Sequence, residues 1–179
     1  MTIDAPEEIV WQGKFLTAKT RGKWEYVSRA RGIRAAVILA IDEHDHVILV
    51  EQYRIPLGRA CIELPAGLVG DDDSLQGEDA TAAAARELEE ETGYHAARME
   101  VLGEFYSSPG MVSESFTLLR AHGLTRVGAG GGTAGEDITV HRVRRSAIGL
   151  AIAGWRAAGL GIDTRLLLLL APDILGSET

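Results

Sequence analysis

The stretch Asp79-Ala80-Thr81-Ala82-Ala83-Ala84-Ala85-Arg86-Glu87-Leu88-Glu89-Glu90-Glu91-Thr92-Gly93-Tyr94 decides how this chain is read. It is rich in Ala, Leu and Glu, all strong helix formers, and predicts a helix over 79–91. Asp79 suits the N-cap, and Gly93 stands where a left-handed C-terminal cap belongs. Glu87, Glu90 and Glu91 are spaced i, i+3, i+4, so their carboxylates share one face. They also fall in the last turns, at the negative end of the helix dipole. Each like-charge pair at this spacing costs about 0.2–0.5 kcal/mol, and the dipole adds about 0.3–1 kcal/mol per charge. A helix serving structure alone would place Lys or Arg there, and local rules tend to fail at functional sites. A divalent cation resolves the conflict, because hard ions such as Mg²⁺ take oxygen ligands, keep some waters and bridge to substrate phosphates. A solvated acidic face is the alternative reading of the same residues.

Around this helix the chain has the proportions of an ordinary folded domain. It has 179 residues, 46% hydrophobic and 25% charged, which fits one domain with a sizeable core and argues against disorder. Its net charge of −8 argues against gripping nucleic acid or anionic lipid by bulk electrostatics. A small phosphate ligand stays compatible, because one metal ion reverses the local sign. A single cysteine, Cys61, excludes an intrachain disulfide and a cysteine-rich zinc site. The opening residues lack the basic-then-apolar order of a signal peptide, and the apolar runs, Leu166 to Ala171 among them, are too short to span a bilayer. The expectation is a cytoplasmic protein with no membrane or nucleic-acid partner.

Strands are expected on both sides of the helix. Residues 9–29 carry Trp11, Phe15, Trp24 and Tyr26 between short polar turns and read as two strands. Residues 35–41 and 46–50 flank the turn Asp42-Glu43-His44-Asp45 and suggest a hairpin. Cys61-Ile62-Glu63-Leu64 reads as extended up to Pro65, and 67–77 as a loop. Further strands are expected at 99–106, 115–121 and 137–143, and helices at 146–158 and 163–171. This order suggests a mixed sheet with helices on its faces. The run Gly128-Ala129-Gly130-Gly131-Gly132-Thr133-Ala134-Gly135 lacks the ending of a phosphate loop and reads as a flexible linker or as a mobile lid. The five histidines form no ligand cluster, and Arg142, Arg144 and Arg145 read first as solvated charge.

The residues Glu63-Leu64-Pro65-Ala66-Gly67, then Glu78, then Arg86-Glu87-Leu88-Glu89-Glu90-Glu91-Thr92-Gly93-Tyr94 resemble the Nudix box, G-x5-E-x7-R-E-U-x-E-E-x-G-U with U a bulky apolar residue. From Glu78 onward the spacing fits, with Tyr94 an aromatic substitute at the last position. Ten residues rather than five separate Gly67 from Glu78, which reads as an insertion in the loop. The resemblance implies an α/β fold, the Nudix α/β/α sandwich, whose mixed β-sheet is flanked by helices and preceded by an N-terminal strand extension. It divides the chain into an N-terminal strand region, 1–30, for dimerisation and base stacking, and a Nudix domain, 31–179. It implies Mg²⁺, for which Mn²⁺ can substitute. The ligands it implies are Glu87 and Glu91, with Glu90 a third and the Ala66 carbonyl a further one. It also makes Arg86 the residue that orients the glutamates and Glu78 a brace between loop and helix.

The segments Val50-Glu51-Gln52-Tyr53-Arg54 and Ser107-Ser108-Pro109-Gly110-Met111-Val112-Ser113-Glu114 are similar to those of the ADP-ribose pyrophosphatase group, Pro109 following Tyr94 by 15 residues. That likeness implies a role for each of several residues. Phe15 and Trp24 stack on adenine, core packing being their alternative. Arg54 contacts the diphosphate, for which a guanidinium fork is suited. Glu63 holds a polar substrate group or supports the metal, and Glu114 reaches substrate across a homodimer interface. Glu136, after the glycine run, acts as metal ligand or as general base. The implied activity is Mg²⁺-dependent hydrolysis of ADP-ribose to AMP and ribose 5-phosphate. Another nucleoside diphosphate sugar, such as ADP-glucose or GDP-mannose, is the nearest alternative, and a non-catalytic nucleotide sensor a more distant one.

Overall fold

A computed structural model describes residues 4–30, 33–70, 79–133 and 135–170. The strands are β1 (Glu7–Gln12), β2 (Leu16–Arg21), β3 (Trp24–Arg29), β4 (Arg34–Ala40), β5 (His46–Arg54), β6 (Arg59–Glu63), β7 (Ala66–Val69), β8 (Tyr94–Tyr106), β9 (Ser115–Arg126), β10 (Thr139–Arg144) and β11 (Gly161–Ile162). Helix α1 is Ala80–Thr92 and α2 is Ile148–Ala157. They build two four-stranded sheets, ordered β7-β4-β9-β8 and β10-β5-β6-β11, and a three-stranded N-terminal sheet β1-β2-β3. Both larger sheets are mixed, through the parallel pairs β4–β9 and β6–β11. The α/β class with an N-terminal strand extension stands, with two mixed sheets in place of one. Among the described residues no helix is long and apolar enough to cross a membrane.

β4 is the centre of the fold, and its period-2 alternation explains why. Ala36, Ile38 and Ala40 meet Ala83, Ala84 and Leu88 of α1, while Val37 and Leu39 turn the other way onto Leu49, Ile62 and Leu118. A strand buried on both faces needs apolar residues at every position, which is what the run Ala35–Ile41 supplies. Ala83 and Ala84 let α1 approach the sheet closely. Leu88 is fully buried, and truncating such a side chain to Ala costs about 2–5 kcal/mol.

Several expectations are corrected here. The two strands expected at 35–41 and 46–50 do not form a hairpin. β4 pairs with β7 and β9, β5 pairs with β6 and β10, and only the bridge Ile41–Val47 joins the two segments. The turn between them exists: Asp42 Oδ1 accepts from the backbone N–H groups of His44 and His46. A doubly buried strand must be flanked on both edges, so β5 is turned away into the second sheet. Residues 9–29 hold parts of three strands rather than two, because Gly13 opens a further turn, its N–H donating to the Leu16 carbonyl. The helix expected at 163–171 is a 3₁₀ segment over Thr164–Leu170 that buries Leu166 and Leu169, the spacing a three-residue turn eclipses.

Candidate active site

Helix α1 forms as its sequence dictates. Asp79 accepts from the backbone N–H groups of Thr81 and Ala82, and these bonds hold its carboxyl below the usual range. Gly93 closes the helix at φ 72°, the left-handed conformation that glycine adopts without penalty. Ala84, Leu88, Glu91 and Thr92 line the buried side of the helix. Glu91 therefore occupies a position where an amphipathic helix would place an apolar residue.

The glycine run, expected as a flexible linker or a mobile lid, is docked through its residues 128–132. It lies on the C-terminal end of α1, where Gly131 N–H donates to the Glu91 carbonyl at 2.9 Å and Gly132 N–H to the Glu90 carbonyl at 3.0 Å. Gly93's own carbonyl accepts from Val127 and Gly128. Carbonyls that a helix end leaves unpaired are thus satisfied by backbone from elsewhere in the chain. A Cβ at Gly130 would stand 2.4 Å from the Thr92 carbonyl carbon, so this approach is open only to glycine. The docked segment leads directly to Glu136, whose Oε2 accepts from Thr133 N–H at 2.8 Å and Thr133 Oγ1 at 3.1 Å.

Glu87, Glu91 and Glu136 line one cleft of about 640 Å³, with Ala66 and Gly67 of β7 at its floor. Glu91 is only 5% exposed and takes one N–H bond, from Ala66 at 3.0 Å. Burial, with the nearby Glu87 and Glu136 charges, pushes its carboxyl up to about 8 against the opposing pull of Ala66 and Arg54. Glu87 is also raised, by burial first, with Glu90 and Glu136 adding to it and Arg86 opposing. Arg86 Nη1 bonds Glu87 at 2.9 Å and Glu90 at 3.2 Å. A Cβ at residue 67 would lie 2.0 Å from Glu87 Cγ, so Gly67 is the cradle in which the Glu87 side chain rests. Glu90 stands beside Arg86 at the edge of this group and is absent from the cleft lining. Glu78 lies outside the described residues.

Among the described residues, no group of three or more His, Cys, Asp or Glu side chains stands close enough together to hold a metal ion. Arg86, Ala66 and Thr133 each hold one or more of the carboxylates. The donor set nonetheless fits a hard divalent cation. It is all oxygen, it is open to a cleft, and it includes a buried carboxylate whose charge is poorly compensated by protein.

The other charged residues of the cleft lining are paired. Arg54, at the end of β5, forks onto Glu63 with two bonds of 2.7 Å, and Glu63 is 3% exposed at the end of β6. Two further residues of this wall, Asp163 and Arg165, were missed in the sequence reading, in which the terminal segment was only a helix. No local motif marks them; the parallel pairing of β11 with β6 brings them there. Glu114 lines the same cleft within the chain, ion-paired with Arg29. Cys61 is buried beneath this wall, and burial with the Glu63 charge pushes its thiol up to about 11, far from a reactive thiolate.

Phe15 and Trp24 are not in the cleft. Each is 55% exposed, which removes core packing as their explanation. Trp24 lines a shallower groove with Tyr26, Pro109, Gly110 and Val112. The groove adjoins the cleft, since Ser28 and Ser113 line the first and their neighbours Arg29 and Glu114 the second. Ser28 and Ser113 are joined by a 2.7 Å hydroxyl bond, and β3 meets the segment through Val27 N–H to the Met111 carbonyl. Phe15 stands apart from both, under Lys14 at 4.9 Å.

A carboxylate-bearing helix, strand β7 with its glycine and a late glutamate converge here, and the NUDIX domain family matches residues 31–137. The chain belongs to the NUDIX family. It is 42% identical over 92 residues to the methanol dehydrogenase activator of Bacillus methanolicus, covering 51% of this chain and 47% of that one. It is 41% identical over 80 residues to the ADP-ribose pyrophosphatase of Bacillus subtilis (strain 168), covering 45% and 40%. This NUDIX chain thus spans about half the length of these relatives or less. Among solved structures, that of an ADP compounds hydrolase superposes with a TM-score of 0.61 at 21% identity, over 86% of this chain and 94% of the other. That likeness establishes the NUDIX fold.

Proposed function

We propose that this chain is a hydrolase that cleaves the diphosphate bond of ADP-ribose to give AMP and ribose 5-phosphate, using Mg²⁺ or Mn²⁺. The observation that carries the reading is Glu91, a carboxylate on the buried stripe of α1 beside Glu87 and Glu136, opposite the guanidinium of Arg54. In this reading Glu87, Glu91 and Glu136 hold the metal, with Glu90 and the Ala66 carbonyl completing the set. When bound, the metal supplies charge neutralisation for the diphosphate and a lowered pKa for a bound water. Arg54 binds diphosphate oxygens through the edge it does not share with Glu63. Arg86 orients Glu87 and Glu90. Glu136 is the candidate acceptor of the proton lost by the attacking water, and Thr133 aims its carboxylate. Trp24 stacks on the adenine in the adjoining groove, whose lining does not include Phe15.

The N-terminal region 1–30 serves stacking and dimer formation, and 31–179 carries the chemistry. Supporting the homodimer, Ile9, Val10, Trp11 and Trp24 of the first strands and Phe15 of the turn between β1 and β2 are all more than half exposed. The test is a hydrolysis panel of ADP-ribose, ADP-glucose and GDP-mannose with Mg²⁺, read by mass, with light scattering for the mass of the assembly. AMP and ribose 5-phosphate as the main products support the proposal. Faster release of a hexose phosphate would move the substrate to another nucleoside diphosphate sugar, and no release from any of them would overturn the activity.

A further inference from the structure

The C-terminal segment puts a second guanidinium on the cleft wall. β11 runs parallel to β6, with Gly161 beside Cys61 and Ile162 beside Ile62, and Asp163 N–H donates to the Ile62 carbonyl at 3.0 Å. The parallel register carries the residues that follow the paired Ile62 and Ile162 to the same rim, and those residues are Glu63 and Asp163. Asp163 Oδ1 then accepts from Arg165 backbone N–H at 2.7 Å and from Arg165 Nε at 2.8 Å, and its Oδ2 accepts from Nη2. Arg165 Nη2 lies 3.6 Å from Glu63, and its guanidinium carbon sits 5.6 Å from the centre of the Phe116 ring.

This arrangement exceeds what holding the segment in place requires. Glu63 is already matched by both arms of Arg54, so it does not need a second cation. Leu166 and Leu169 already anchor the segment in the core. Arg165 is instead locked by a forked carboxylate behind and an aromatic face beside it, the usual means of fixing a guanidinium that must meet an anion. Both arginines commit their Nε and Nη2 atoms to carboxylates, and both line the cleft that Glu87, Glu91 and Glu136 also line.

We propose that Arg165 is a substrate-binding residue: with Arg54 it forms a two-guanidinium wall for the diphosphate group of the ligand, and Asp163 positions it. The inference rests on the proposed reading of the cleft as a nucleoside diphosphate site. It also gives the C-terminal segment a direct part in recognition.

The experiment compares wild type with Arg165→Gln, Arg165→Lys, Asp163→Asn and, as a control on the exposed side of α2, Arg156→Gln. Binding of ADP is read by calorimetry and turnover of ADP-ribose by kcat and KM. Arg165→Gln is expected to weaken ADP binding and raise KM by about tenfold, the size of one charge-assisted hydrogen bond. Its kcat stays within about twofold, as expected for a contact made equally in ground and transition states. Arg165→Lys, which keeps the charge and loses the fork, falls between wild type and Arg165→Gln. Asp163→Asn shifts KM in the same direction, and Arg156→Gln changes nothing. If Arg165→Gln does not fold, as judged by its melting transition, Arg165→Lys decides the matter. ADP affinity in Arg165→Gln equal to wild type, or a loss confined to kcat, overturns the proposal. If ADP-ribose is not turned over at all, the proposed activity fails, while the ADP titration still decides the role of Arg165.

Discussion

The two walls of the cleft bury charge in opposite ways. On the guanidinium wall every charge has a partner: Arg54 with Glu63, Arg165 with Asp163, Arg29 with Glu114. On the helix wall three carboxylates share one small volume, and the most buried of them, Glu91, has a single backbone N–H for company. A paired wall is close to electrostatic balance, whereas a crowded acidic wall is unsatisfied until a cation or a proton arrives. The paired wall is suited to holding a substrate in place. The crowded wall is suited to capturing metal, and it is a source of instability in the protein alone.

The sharpest way to break this comparison is Glu91→Gln. Activity should fall by more than about 100-fold, beyond the 10–100-fold typical of losing an outer-shell partner of a metal. The same variant should melt at a higher temperature than wild type at pH 8.5 in the presence of chelator, because it replaces a buried charge with a neutral isostere. Retained turnover, or a lower melting temperature, would show that the helix wall is not under the strain described.

A smaller effect is expected from Gly67→Ala. The added methyl overlaps the Glu87 side chain and must displace it from the floor of β7. We expect activity to fall at least about tenfold, with partial recovery as Mg²⁺ is raised. Unchanged kinetics would mean that Glu87 works from another position.

The pH dependence of stability sharpens the contrast further. The Glu91 carboxyl is raised from 4.5 in the unfolded chain to about 8 in the fold. Between those values the folded state holds a proton that the unfolded state has lost. This group therefore makes stability fall as pH rises from about 4.5 to 8, and adds no further slope above that. Melting of wild type minus Glu91→Gln in chelator isolates its share. A flat difference would remove the charge-crowding argument. Because metal and proton compete for the same carboxylate, saturating Mg²⁺ should abolish this slope.

The smallest expected effect is on the aromatic side. Trp24→Ala removes an exposed side chain and should change stability by no more than about 0.5 kcal/mol, while weakening adenine nucleotides selectively over sugar phosphates. An equal loss for both ligand classes would separate the Trp24 groove from substrate binding.

Much of the helix wall is legible in sequence because its determinants are local. Asp79, the Ala–Leu stripe, Gly93 and the spacing of Glu87, Glu90 and Glu91 all act within a few turns of one helix. Even so, the sequence shows the three glutamates as one face, whereas the fold separates them. Glu91 turns into the core stripe, Glu87 rests over Gly67, and Glu90 stays with Arg86 at the edge. The guanidinium wall is legible only in half. Arg54 and Glu63 are expected to act on substrate, but their mutual pairing has no local signal: strand register sets Arg54 opposite Arg59 and Glu63 opposite Val50, and only the side chains bring the two together. Asp163 and Arg165 carry no local signal, because their place depends on a two-residue parallel strand. The glycine run misled for a related reason. Composition reports conformational freedom in an isolated chain, whereas this segment's glycines serve close approach to the unpaired end of α1.

The sequence by itself determined the α1 helix with its caps, the excess of acid at its end, and the apolar runs that had to be buried. These follow from propensity and periodicity, which act over a few residues. Only the tertiary structure decided that β4 and β5 part into separate sheets, that Glu91 is desolvated, that the glycine segment closes the helix end, and that Arg165 lines the same cleft as the carboxylates. Each of these depends on which distant strands lie side by side, and on how much water their contact removes.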